Sequence, residues 1–241
     1  MVLNISGLAP REVHWPQAWR IIASRYPPID LFERVSPDPA VWEALIAAEE
    51  LVNPRLRDAA GVISLVPPEQ RVSGAGASYV MAPFTHLNPK GSRFAGAGSG
   101  AYYCAEKLAT AIAETVHHFS RFARDSRDPP RREDMRVLCG SVAHAFAHAD
   151  DLSEDDRGLA LDPDDYSSAQ KLAALLRAGG HAGIAYPSVR DRDGRCLAAF
   201  RPDAVGLPVQ ERHLCYEWNG QRVQRYFDYA EDRWNALPNG G

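Results

Sequence analysis

Three strand-like runs succeed one another toward the C-terminal end of the chain with no helix between them, and this order restricts the fold more than any other feature. Gly183-Ile184-Ala185-Tyr186 is short and apolar, Cys196 to Phe200 follows the turn pair Asp193-Gly194, and Arg212 to Trp218 precedes Asn219-Gly220. A helix over Ser168 to Ala178 stands before them and ends at Gly179-Gly180, the usual C-terminal signal. A second helical stretch starts near Lys107, where Leu108, Ala111, Ile112 and Thr115 share a face and His117, His118 and Arg121 lie beyond. It follows a short buried strand over Ala101 to Ala105. Helices and strands do not alternate regularly, so the expected architecture is one α+β domain spanning 1–241.

The other segments are less regular. Arg11 to Leu31, with its tryptophans and prolines, reads as a short helix or strand followed by a turn. Pro39 opens a helix running to about Leu56, and Val62 to Val66 and Ser78 to Met81 read as short strands around the loop Ser73 to Ala77. Arg136 to Leu138 reads as a strand, and the acidic stretch Asp150 to Asp165 as a surface loop. With 241 residues the chain can bury a large core, and its net charge of −4 lacks the basic excess of a generic nucleic-acid binder. No apolar run has the length of a membrane span, and the first twenty residues hold no basic-then-apolar leader, which points to the cytoplasm. Cys104, Cys139, Cys196 and Cys215 are far apart and form no C-x-x-C pair, as expected of reduced core thiols.

Several residues are chemically suggestive. Glycines 96, 98 and 100 have the wrong spacing for a dinucleotide loop and serve better as a turn before a strand. His144 and His148 would share a helical face and could hold a metal with Asp150 or Asp151, but the glutamate of a zincin helix is missing. His117 and His118 point in different directions as neighbours on a helix, so one of them can border a pocket. Arg93 lies between Gly91 and Gly96, where backbone can approach a ligand closely, and its planar fork suits phosphate or carboxylate. Glu114 is a carboxylate among Ala111, Ile112 and Ala113, and Ser188 follows Tyr186-Pro187 at the end of an apolar strand.

Taken in order, Asn88-Pro89-x-Gly91-Ser92-Arg93-Phe94, Tyr102-Tyr103, Thr110 to Thr115 and Gly183 to Arg190 with the following Asp191-x-x-Gly194-x-Cys196 resemble the RES-domain family, named for its Arg, Glu and Ser. The resemblance runs from about Arg20 to Trp218. By motif, Arg93, Tyr103, Glu114 and Ser188 correspond to the family's catalytic residues, with His86 and Arg190 as substrate-binding neighbours. Ala101 and Cys104 depart from the family strand, which often has Val and Ala there, and the portion before about Ser78 reads as an N-terminal extension packed on the core.

The resemblance implies a fold similar to ADP-ribosyltransferases and a toxin of a bacterial toxin–antitoxin pair. Such a toxin cleaves NAD+ by phosphorolysis, hydrolysis or ADP-ribosyl transfer, with inorganic phosphate as a possible co-substrate and no cofactor or metal. Its implied partner is an antitoxin with an Xre-like helix-turn-helix region, in a complex with several copies of each chain. Glu114 would stabilise an oxocarbenium-like charge and hold a ribose hydroxyl. Arg93 would grip the pyrophosphate, Tyr103 would stack on nicotinamide, and Ser188 would bond the carboxamide or ribose. Two alternatives stay open: a nucleotide-binding or regulatory module without turnover, and a metal-dependent hydrolase using His144 and His148.

Overall fold

One long strand organises the molecule. In the computed structural model, which describes residues 7–26, 38, 41–42, 44–45 and 61–238, strand β3 (Arg131–His148) pairs with three partners. These are β1 (Arg11–Ala23), β4 (Gly183–Pro187) and β6 (Val209–Trp218). With β2 (Tyr102–Ala105), β5 (Arg195–Ala199), β7 (Val223–Asp228) and β8 (Arg233–Ala236) they form a sheet in the order β1-β2-β5-β4-β3-β6-β7-β8. Only β3 and β4 run parallel; the other pairs are antiparallel. Because β1 pairs with both β2 and β3, the strands β1, β2, β5, β4 and β3 close a circuit, and β6 to β8 continue as a meander. The circuit is thinnest between β1 and β2, where Trp19 opposite Ala105 is the one registered pair.

Side-chain alternation sends successive residues to opposite sides. Tyr102 and Cys104 of β2 and Leu197 and Ala199 of β5 join one core with Val13, Trp15 and helix α1 (Ala77–Thr85). Ala105, Cys196, Ala198 and Tyr186 join the other, with Tyr103 packed against it. That second core is covered by α2 (Leu108–Asp125), α3 (Glu154–Ala160) and α4 (Ser167–Ala178). The architecture is a single α+β domain, with β1 inside the sheet.

Several elements differ from the sequence reading. Ser78 to Met81 is helical: Ala77, Val80, Met81 and Phe84 are buried at helical spacing, and that packing overrides the strand preference of Tyr and Val. Ile63–Leu65 is a single 3-10 turn, consistent with burial of Ile63 and Val66 three apart while Val62 and Leu65 stay exposed. The acidic stretch holds α3, whose N-cap Ser153 accepts from Asp156 N at 3.2 Å and whose first turn carries three acids toward the helix dipole. The strand at Arg136 to Leu138 is the middle of the eighteen-residue β3. His144 and His148 lie on it, so they share no helical face and stand about 13 Å apart along the strand. The helix expected from Pro39 to about Leu56 falls almost wholly outside the described residues.

Candidate active site

The cleft opens at the thin seam. A cavity of about 500 Å3 is walled by Trp19 and Arg20 of β1, Tyr103 of β2, Glu114 and His118 of α2, and the loop bearing Arg93. Helix α2 contributes a stripe at 111, 114, 115, 118, 122 and 125, the three-and-four spacing of one helical face. Glu114 therefore enters the cleft because of its register with the buried Ala111.

Its carboxylate is fixed from behind. Ser188 Oγ donates to Glu114 Oε1 at 2.6 Å and accepts from the backbone N–H groups of Arg190 (3.1 Å) and Asp191 (3.0 Å). Thr110 Oγ1 donates to Asp191 Oδ2 at 2.6 Å, tying the loop to the first turn of α2. A side chain at Gly194 would lie 2.5 Å from Thr110 Cγ2, so the glycine permits this close approach. The Cys196 thiol lies 3.8 Å from Glu114 Oε1, and burial raises its pKa well above the usual thiol value. His118 Nε2 stands 3.9 Å from Glu114 Oε2. Desolvation lowers the pKa of that imidazole against the opposing pull of Glu114.

Arg93 rides on a tight turn. Asn88 Oδ1 accepts from Lys90 N at 3.0 Å, Gly91 takes φ +68°, and Ser92 N donates to Ala95 O at 2.7 Å. The Tyr103 hydroxyl shares a 2.8 Å hydrogen bond with Ser92 Oγ and accepts from Phe94 N at 2.9 Å. Arg93 Nη1 donates to Asp162 O at 2.6 Å and Ala160 O at 3.4 Å, at the C-terminal end of α3. Its guanidinium lies 4.5 Å from the centre of the Tyr166 ring, which also sits 5.7 Å from Arg121.

The structure brings Arg93, Tyr103 and Glu114 to one cavity, with Ser188 bonded to Glu114 but outside the lining. Tyr103 bonds Arg93's loop with its hydroxyl, and Ser188 has its hydroxyl engaged by three protein groups. Their contacts are thus those of positioning residues. His86 follows α1, with Nδ1 3.1 Å from Thr85 Oγ1, and does not line the cleft. Arg190 donates from Nη2 to Pro163 O at 2.9 Å and lines a different hollow.

Arg20 is the residue that sequence reasoning missed. Its Nη1 donates to Tyr103 O at 3.0 Å, its Cζ lies 4.7 Å from the Tyr102 ring centre, and its buried Nε has no hydrogen-bond partner. Burial lowers its pKa, but a guanidinium remains protonated. Among the described residues neither Arg20 nor Arg93 has a carboxylate within ion-pair distance. No group of three His, Cys, Asp or Glu among them is placed to hold a metal ion, and no helix among them is long and apolar enough to cross a membrane.

An α+β scaffold with Glu114 held by Ser188 in a cleft whose Arg20 and Arg93 meet no carboxylate among the described residues suits an anion with an electron-poor centre. The RES domain family matches residues 68–219, and the chain belongs to that family. The uncharacterized protein y4oC of Sinorhizobium fredii (strain NBRC 101917 / NGR234) is 29% identical over 219 residues, spanning 88% of this chain and 87% of that one. A chain in the crystal structure of the M. tuberculosis MbcT–MbcA toxin–antitoxin complex aligns with a TM-score of 0.40 and 12% identity, covering 88% of this chain and 87% of that one. Strand β1, the source of Arg20, precedes the matched segment.

Proposed function

We propose that this RES-domain protein cleaves the bond between nicotinamide and ribose in NAD+, and acts as a growth-arresting toxin held in check by an antitoxin. The observation that carries this reading is Glu114, fixed by Ser188 and facing a cleft whose Arg20 and Arg93 lack carboxylate partners among the described residues. NAD+ presents the complementary pattern, with a diphosphate for Arg20 and Arg93 and a ribosyl carbon that gains positive charge as its bond breaks. In that step the C1′–N bond opens and its electron pair leaves with nicotinamide, which departs neutral. No strong general acid is needed there. Glu114 stabilises the cationic sugar and holds a ribose hydroxyl until phosphate, water or a protein side chain attacks C1′. Tyr103 and Ser188 keep Arg93's loop and the Glu114 carboxylate in place for it. The reading places the protein in the cytoplasm, where the substrate is, with an Xre-like helix-turn-helix antitoxin as partner.

Nicotinamide release from NAD+, followed by chromatography with and without inorganic phosphate, tests this. Release that rises with phosphate means phosphorolysis, and release independent of it means hydrolysis or transfer. A folded, antitoxin-free sample that binds NAD+ yet releases nothing, even with candidate acceptor proteins, makes the chain a binding module.

A further inference from the structure

The helix that carries Glu114 presents a second stripe on its other side. Val116, His117 and Arg124 of α2 face a hollow of about 330 Å3, joined by Arg190 from the loop after β4 and by Arg222 and Val223 at the start of β7. No carboxylate lines it among the described residues. Among the described residues Arg124 makes no side-chain ion pair and the Arg190 side chain bonds only a backbone carbonyl, so neither charge meets an acid there. His117 Nε2 is shut off from solvent and has no hydrogen-bond partner among the described residues. Burial, with Arg190 next, pushes this imidazole down to about 4, so the ring is neutral at physiological pH and can donate from Nε2 in one tautomer. Apart from Ser120, whose Oγ accepts from Val223 N at 3.4 Å, the rest of the wall is apolar, with Val116, Val223 and Leu237.

We propose that this hollow is a second anion site, which takes a small phosphomonoester with an apolar body and bears on Glu114 through the loop that carries Arg190. Guanidinium forks fit phosphate oxygens in charge-assisted pairs, and an orphaned buried nitrogen gains a partner when such an oxygen arrives. The apolar wall has nothing to offer a free phosphate, but it covers the organic part of an ester. The link to the cleft is short and runs through two hydrogen bonds. The Arg190 backbone N–H donates to Ser188 Oγ at 3.1 Å, and that hydroxyl donates to Glu114 Oε1 at 2.6 Å.

Isothermal titration of phenyl phosphate into the full chain tests the site without any turnover, so it stands or falls apart from the reading of the cleft. Replacing the exposed Arg124 by Ala (Arg124→Ala) should weaken binding about tenfold or more while leaving the melting temperature in place. The cleft variant Arg20→Ala should leave it unchanged within about twofold. Absence of binding by the unaltered protein at millimolar probe, or loss of binding in Arg20→Ala alone, overturns the site. Inorganic phosphate should bind more weakly than phenyl phosphate; equal affinity overturns the assignment to an ester and leaves free phosphate as the ligand. In carboxyl-labelled protein the Glu114 resonance should shift when phenyl phosphate saturates the hollow, and an unmoved resonance overturns the coupling.

Discussion

Arginines meet two different fates in this molecule. In the meander of β6 to β8 they are paired with acids: Arg212 with Glu211 and Asp228 at 2.5 and 2.8 Å, Arg225 with Glu217 at 2.6 Å, and Arg233 with Glu231 at 2.7 Å. In the cleft, Arg20 and Arg93 rest on backbone carbonyls and aromatic faces, which orient a guanidinium without neutralising it. The same residue type is thus structural where its charge is cancelled and available where its charge is kept. Glu114, the cleft carboxylate, follows the same division, since its partners are a hydroxyl, a thiol and an imidazole.

The largest expected effect is at that carboxylate. Glu114→Gln keeps the Ser188 contact but removes the charge, and nicotinamide release should fall on the order of 10²–10³-fold with NAD+ affinity nearly intact. Unchanged turnover would remove Glu114 from the chemistry. Next comes the meander: Arg212→Met leaves the buried Asp228 without its cation, at a cost of about 3 kcal/mol in urea unfolding, with activity per folded molecule unaltered. Arg20→Ala should do the reverse, weakening NAD+ binding about tenfold with little change in stability. If Arg20→Ala lowers stability and spares binding, the contrast between the two regions collapses.

Acidification extends the comparison to the cationic side of α2. Because the folded-state pKa of His117 lies below its unfolded value, the unfolded chain takes up the proton first as pH falls. The stability it contributes is whole above about pH 6.5 and is lost as pH drops through about 4. The ring is only partly buried, so the loss is roughly 1 kcal/mol. Urea midpoints at pH 7 and pH 4 should lie closer together in His117→Gln than in the unaltered protein. Equal differences would show that other groups carry the pH dependence. The smallest effect belongs to Arg225→Ala at the exposed end of the meander, which should move neither the melting temperature nor NAD+ binding.

The elements most legible in the sequence were those whose pattern is local. Helix α4 and strands β4 and β5 bury one regular stripe or one short apolar run between turn residues, so periodicity and Gly signals locate them within a residue or two, and the same kind of stripe places the start of α2 but not its end. Strand β3 was legible only in its middle, because its partners change along its length and its burial changes with them, through Arg131 to Asp134 and Gly140-Ser141. Helix α1 was misread although its spacing was visible, since Tyr79 and Val80 favour strands and only packing against Trp15 and its neighbours selects the helix. For the site, Arg93 and Glu114 stood out through neighbouring glycines and an apolar helix. Arg20 gave no local sign: a lone arginine in a strand gains meaning only when the sheet sets it beside Tyr103.

The placement of β1 also sets a timetable for synthesis. This strand is made before its registered partners on β3, from Met135 to Phe146, which follow it in the chain by 112 to 135 residues. Until then β1 has only its single registered pair with β2 and the Arg20 bond to Tyr103 O, and the cost of closing so long a loop makes its joining to β3 slow. The wall of the cleft that carries Arg20 is therefore fixed only after β3 has been made.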